Sequence, residues 1–218
     1  MFWADLETNE LFIYDEIGPA YWGLVSADAI IDSLKQMSGK HVTARINTPG
    51  GSVDEGVAIY NALKEHKGGV TTIVDSLAAS MGSYIMQAGE RRVVAGNAAV
   101  MVHDPWTIAF GNSTELRKTA DVLDKYRERL VPDYAARSGK TNDEITAILK
   151  EETWYTAQEA VDAGFADEVK QDAKEIKPKG AAALARICSK IPDRFAAKLK
   201  QPKMTIDELK AEIRRLSA

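Results

Sequence analysis

Ser80 lies in the segment Asp75-Ser76-Leu77-Ala78-Ala79-Ser80-Met81-Gly82-Ser83, where a β-rich run ends and a helical pattern begins. A hydroxyl at such a turn sits beside the unpaired N–H groups of a helix N-terminus, a setting that favours developing negative charge. Ala78, Ala79 and Gly82 leave room for a second backbone to come close. Nucleophilic attack is one reading of this serine, and a plain helix cap is the other. Upstream, Asn47-Thr48-Pro49-Gly50-Gly51 interrupts a strand pattern just before a helical one. A Pro-Gly-Gly turn exposes backbone N–H groups, and two of them about 3 Å from a tetrahedral oxyanion stabilise it by several kcal/mol. The same run also serves as an ordinary strand-to-helix turn.

A serine nucleophile needs a base, and the chain offers three histidines, His41, His66 and His103. His66 sits among Lys64, Glu65 and Lys67 at a helix end, a solvated setting. His41 opens a strand after Gly39-Lys40, at a loop edge. His103 ends the apolar run Ala99-Val100-Met101-Val102 and precedes Asp104-Pro105. A strand end facing a loop is a usual place for a catalytic group. Only His103 follows a buried strand pattern, so it is the best base candidate.

The elements that must position these groups alternate along the chain. Glu10–Asp15 reads as a strand and Ser26 to Leu34 as a helix. In His41–Ile46, Val42, Ala44 and Ile46 face one way, the period of a strand. Ser52-x-x-Glu55 forms a capping box, and Val53, Val57, Tyr60 and Leu63 follow at helical spacing. Val70–Val74, Arg92–Ala95 and Ala99–His103 read as strands, with the apolar segment Met81–Ala88 between the first two. Ser113 to Tyr134 is the longest helical pattern, with Leu116, Ala120, Leu123, Leu130 and Tyr134 on one face and Pro132 kinking it or marking its end. Capping boxes at Thr141-x-x-Glu144, Thr156-x-x-Glu159 and Thr205-x-x-Glu208 open three short helices. Strands alternating with helices predict an α/β fold of parallel units.

Charge divides the chain. Residues 1–170 carry 16 Lys+Arg against 26 Asp+Glu, whereas residues 171–203 carry 9 against 3. The expected organisation is a main domain over 1–170, a basic linker or tail over 171–203 and a short helix over 204–218. An acidic body argues against nucleic acid binding. Cys188 is the single cysteine, which fits a reducing compartment. No apolar run reaches the roughly 20 residues of a membrane helix, and Met1 to Glu10 lacks the features of a signal peptide. The expectation is a cytoplasmic protein without a membrane partner. Ser138-Gly139-Lys140-Thr141 imitates the end of a phosphate-binding loop, but Tyr134 occupies the position of its first glycine and no strand precedes it.

Four segments in order, INTPGGSVDEGVAIYNAL, SLAASMGSYIMQAG, NAAVMVHDPW and EETWYTAQEAVDAGFAD, resemble the successive motifs of the Clp protease proteolytic subunit family. Within it they look closest to the Clp-like head maturation proteases of tailed phages and prophages. The likeness spans residues 8–170. It implies a ClpP/crotonase-like spiral of β/α units with a long handle helix, followed here by a basic C-terminal tail. It also implies Ser80 as nucleophile, His103 as base, and the amides of Gly51 and Met81 as oxyanion donors. The family's third triad member is usually an aspartate, and its position falls on Glu152. A glutamate is one methylene longer but can still orient an imidazole. Glu151 is adjacent, while Asp104 on the strand of His103 should point the other way.

The resemblance further implies substrate paired as an added strand along extended segments after Gly51 and around Pro105–Ile108. Gly50, Ser52, Val53 and Trp106 would line that groove; Trp106 and Trp154 serve equally well as packing residues. No metal, nucleotide or other cofactor is implied. The implied partners are a protein or peptide substrate, such as a capsid or scaffold protein, and further copies of the chain in a ring. The implied ring is a heptamer or a stacked pair of heptamers, with contacts on the Ser113–Tyr134 helix. The implied function is an ATP-independent serine endopeptidase of prohead or scaffold maturation. The alternatives are a catalytically idle assembly protein of the same fold, or a CoA-dependent enzyme of the crotonase type. Signal peptide peptidases share the fold but use a Ser–Lys dyad, and here a histidine occupies the motif. The basic tail suits an acidic partner or is the remnant of a longer precursor.

Overall fold

The structure is a computed structural model that describes residues 2–170. The expected basic segment, the Thr205/Glu208 cap and Cys188 lie outside the described residues. Strands β1 (Phe2–Asp5) and β2 (Glu10–Ile13) form an antiparallel hairpin. Helix α1 (Ala27–Gln36), strand β3 (Val42–Thr48), helix α2 (Val53–Lys64) and strand β4 (Val70–Ala79) follow. Next come α3 (Met81–Met86), β5 (Arg91–Ala95), β6 (Ala99–Val102), α4 (Ser113–Ser138) and α5 (Asn142–Lys150). The described chain ends with β7 (Thr153–Thr156), α6 (Ala157–Asp162) and β8 (Glu168–Lys170). The expected α/β class is what the chain adopts, with β2, β3, β4, β5 and β8 adjacent and parallel.

Strand β4 organises the site. Its first half, Thr71 to Val74, pairs with β5, and its second half, Leu77 to Ala79, pairs with β6. The sheet therefore forks along one strand. At the fork Ala79 lies opposite Met101, so β4 and β6 end side by side, pointing the same way. Thr48 of β3 lies opposite Ala78 on the other side. The chain segments leaving β3, β4 and β6 thus emerge together at the carboxyl ends of parallel strands, where open α/β sheets bind ligands. Antiparallel β7 pairs Thr153 with Val102 and brings the start of β7 beside the end of β6.

Alternation packs the sheet against its helices. Leu11, Ile13, Ala44, Ile46, Val74 and Val94 are buried on the strands, and Ile30, Leu34, Val57 and Leu63 meet them from α1 and α2. Burying each of these leucine, isoleucine and valine side chains contributes about 1.5–3 kcal/mol.

Several sequence expectations need correction. Strand β1 carries no clear strand pattern in the sequence; it pairs with β2, and Trp3 stacks on Phe12 at 4.3 Å. The Ser52 cap is one-sided: its Oγ accepts from Glu55 N at 3.5 Å, but the Glu55 carboxylate accepts instead from Ala27 N at 2.6 Å, tying α2 to α1. Helix α4 does not stop near Tyr134 but runs through Pro132 to Ser138. Proline leaves the carbonyl of Glu128 without its helical donor, and Glu128 is exposed, so water can serve it. Of the expected apolar face of α4, Leu130 and Tyr134 are buried, while Leu116 is 44% exposed. The boxes at Thr141 and Thr156 are fully formed, and a third at Asn112 and Glu115 opens α4. Gly139, in the lookalike phosphate loop, closes α4 with a left-handed φ of 73° as Thr141 caps α5, so that run is a helix-to-helix turn.

Candidate active site

Ser80 joins β4 to α3 with φ 53° and ψ −123°. A non-glycine residue at positive φ costs about 1–3 kcal/mol and persists only where its surroundings hold it. Here Ser80 N donates to Met101 O at 2.9 Å, and Ser80 O accepts from Ser83 N at 2.9 Å. The Ser80 side chain makes no capping bond to α3. Its Oγ instead lies 2.8 Å from His103 Nε2. The helix-cap alternative therefore fails on geometry: the backbone twist turns the hydroxyl out of the cap and onto the imidazole.

His103 is the residue after β6, and its side chain is 13% exposed. Burial pulls its pKa below the ordinary value of 6.5, while Glu152 and Asp104 push in the opposite direction. A neutral ring protonated on Nδ1 leaves Nε2 free to accept the Ser80 proton. His41 and His66 stand elsewhere, fixing loops through contacts of 2.9 Å to Thr71 Oγ1 and 2.8 Å to Lys40 O respectively.

Glu152 precedes β7, and its Oε2 is 3.8 Å from His103 Nδ1. That is an ion-pair distance and not a hydrogen bond. Its side chain is 60% exposed, and Trp154 Nε1 donates to Oε1 at 3.5 Å. Glu152 follows the α5 cap residue Glu151 with φ 49°, a position where glycine is least strained. Glu151 is exposed on the cap. The Asp104 carboxylate is engaged by α4, where it accepts from Arg127 Nε at 2.9 Å.

The Gly50–Gly51 turn packs directly on the nucleophile. A Cβ on Gly50 would stand 2.6 Å from Ser80 Cβ and 2.9 Å from Met81 N. Gly51, with φ 142°, has no room either: a Cβ would lie 2.0 Å from Ile17 O. Ile17 N donates to Gly50 O at 2.7 Å and Ser52 N donates to Ile17 O at 2.8 Å. In such a parallel bridge the amide of the intervening residue faces the opposite edge, so Gly51 N–H points away from Ile17. Met81 is the first residue of α3, so its N–H has no acceptor within the helix.

The expected extended stretch after Gly51 is not there, because Ser52 already caps α2 and Val53 is its first residue. Residues 103–111 do run without helix or strand, and they carry Trp106, Ile108 and Phe110 at 68%, 74% and 94% exposure. Sequence reasoning missed the contacts of the Trp154 indole and of Arg127. Trp154 lies within the fourth motif segment, but nothing in that run marks its indole as a partner of Glu152; Arg127 belongs to no motif, and only the pairing of β6 with β7 and the path of α4 bring the two near the site.

A family model described as Clp protease matches residues 6–173. The ATP-dependent Clp protease proteolytic subunit 1 of Leifsonia xyli is 33% identical over 150 residues, covering 68% of this chain and 76% of that protein. Its namesake in Protochlamydia amoebophila is 34% identical over 182 residues, covering 80% and 86%. Among solved structures, a mutant of ClpP1 from Listeria monocytogenes matches with a TM-score of 0.68 at 25% identity, covering 77% of this chain and 94% of that one. Fold and relatives together define a serine peptidase. More narrowly, the chain belongs to the Clp protease family.

Proposed function

We propose that this chain is a serine endopeptidase that cleaves peptide bonds with Ser80, His103 and Glu152. The 2.8 Å contact between Ser80 Oγ and His103 Nε2, made by a backbone twisted away from capping, carries the proposal. Ser80 Oγ attacks the peptide carbonyl as His103 Nε2 takes its proton. The carbonyl oxygen becomes an oxyanion held by the N–H groups of Gly51 and Met81. The C–N bond breaks as His103 returns the proton to the leaving amine, leaving an acyl ester on Ser80. Water, deprotonated by His103, then releases the acid product and restores Ser80. Glu152 steadies the imidazolium by charge. A catalytically idle member would have no use for the strained Ser80.

Substrate runs across the Gly50–Gly51 turn, past Ser52 and Val53, and along the exposed segment bearing Trp106. No step consumes nucleotide; the phrase "ATP-dependent" in the relatives' names describes those proteins and suggests an unfolding partner. The exposed apolar groups Trp106, Ile108, Phe110, Leu116 and Val122 support assembly of the chain into a heptameric ring or double ring. Among the described residues no helix is long and apolar enough to cross a membrane; action in the cytoplasm or an assembling prohead rests on the family resemblance. Processing of phage scaffold or capsid protein is the finer reading, and it rests on the resemblance of the four segments. The test is hydrolysis of a fluorogenic peptide and of an unfolded protein without ATP. Activity in wild type that Ser80→Ala abolishes is expected; equal activity in both overturns the proposal. Prohead processing is tested by incubation with phage scaffold protein, and the ring by sedimentation, where a clean monomer contradicts it.

A further inference from the structure

We infer that Ser83 and Tyr134 are positioning residues for the oxyanion-binding amide of Met81, acting through the carbonyl of Ser80. The inference rests on the peptidase reading above. Ser83 Oγ lies 2.7 Å from Ser80 O and 2.8 Å from Tyr134 Oη. A carbonyl can only accept, so the single proton of the Ser83 hydroxyl points at Ser80 O. Ser83 Oγ must then accept from Tyr134. The result is a directed chain, Tyr134 O–H to Ser83 O–H to Ser80 C=O. Burial holds the Tyr134 phenol well above the ordinary tyrosine range, so it remains a donor. Ser83 is 0% exposed and Tyr134 3%, so water does not compete.

The target of this chain is one particular peptide plane. Ser80 C=O and Met81 N–H belong to the same planar unit and point in opposite directions. Whatever fixes the carbonyl therefore aims the amide. Local preference does not hold this plane, because Ser80 is strained at φ 53° and ψ −123°. Three donors do: Ser83 N at 2.9 Å, Tyr84 N at 3.3 Å and Ser83 Oγ at 2.7 Å. The two amides come with any helix start. The hydroxyl is supplied by this sequence, and Tyr134 of α4 keeps it from rotating. Donors on the carbonyl also polarise the peptide and strengthen the N–H at its far end. Tyr134 thereby ties the long helix to the oxyanion site.

A blander account is that two buried hydroxyls merely satisfy one another. The experiment separates the two accounts using the full chain with Tyr134→Phe, Ser83→Ala and both together. Tyr134→Phe keeps the ring contacts with Tyr84 and Phe165, at centroid distances of 5.6 and 5.9 Å, so the fold survives. The readouts are kcat and KM on a fluorogenic peptide, and the affinity of the matching peptide aldehyde, whose hemiacetal oxygen occupies the oxyanion site. Each single variant is expected to lose about 10-fold in kcat and in aldehyde affinity with KM within about twofold, and the double variant to be no worse than Ser83→Ala. A lowered melting temperature with kcat and aldehyde affinity unchanged overturns the inference, as does a parallel weakening of KM and aldehyde affinity. If Ser80→Ala abolishes hydrolysis while the Ser83 and Tyr134 variants match wild type, only this inference fails. If Ser80→Ala matches wild type, the peptidase reading fails and this inference with it.

Discussion

Glu152 Oε2 stands 3.8 Å from His103 Nδ1, close enough to feel the ring's charge and too far to hydrogen-bond it. A buried, bonded aspartate in such a site is worth about 10⁴-fold in kcat, because it fixes both tautomer and orientation. An exposed carboxylate acting by charge alone is screened by water. Glu152→Gln should therefore lower kcat/KM by about 10- to 100-fold, well short of the loss in Ser80→Ala. Steady-state kinetics on a fluorogenic peptide checks this. A loss as complete as that of Ser80→Ala would mean that the contact tightens when substrate binds.

The same pair sets the pH profile. His103 must be neutral to take the serine proton. Burial draws its pKa below 6.5, and Glu152 and Asp104 oppose that shift. The acid limb of kcat/KM should thus fall below the ordinary histidine value, and Glu152→Gln should move it lower still, since a group that raises the pKa is gone. An unmoved acid limb in the variant would show that Glu152 does not act on the ring, and an upward movement would contradict the sign of its effect.

Glu152 also carries a backbone cost. Its φ of 49° at the end of α5 suits glycine. Glu152→Gly should raise unfolding stability by about 0.5–1 kcal/mol while reducing activity, a trade in which strain serves the site. Thermal or urea unfolding beside the activity assay gives both numbers, and a variant that loses stability refutes the strain account.

The site was legible where chemistry is local to a motif. Ser80, His103, Gly50 and Gly51 sit in short runs whose composition states what the backbone must do there, and the structure places them together at the strand ends. The identity of the third acid was only half legible. Position selected Glu152, but its exposure and separation depend on how β7 meets β6. The clamp of Ser83 by Tyr134 was not legible at all: 51 residues separate the two, and only the packing of α4 on α3 joins them. The same holds for the one-sided cap at Ser52, since Glu55 found a better donor on α1. The N-terminal half of α4 reads as amphipathic yet lies exposed, as expected where an apolar stripe awaits a neighbour.

The glycine turn allows a sharp steric prediction. Gly50→Ala would drive a methyl to within 2.6 Å of Ser80 Cβ at a φ of 94°. Activity should fall by at least about 100-fold, comparable with removing one oxyanion donor. Circular dichroism should show the sheet retained. Near-normal activity would mean that the turn does not border the reacting centre.

The nucleophile itself is tested most directly by labelling with a fluorophosphonate, which reacts with an activated serine hydroxyl, and locating the adduct by mass spectrometry. The account predicts a single adduct on the peptide containing Ser80, absent in Ser80→Ala and greatly slowed in His103→Ala. An unlabelled wild type, or equal labelling of Ser80→Ala, would contradict it.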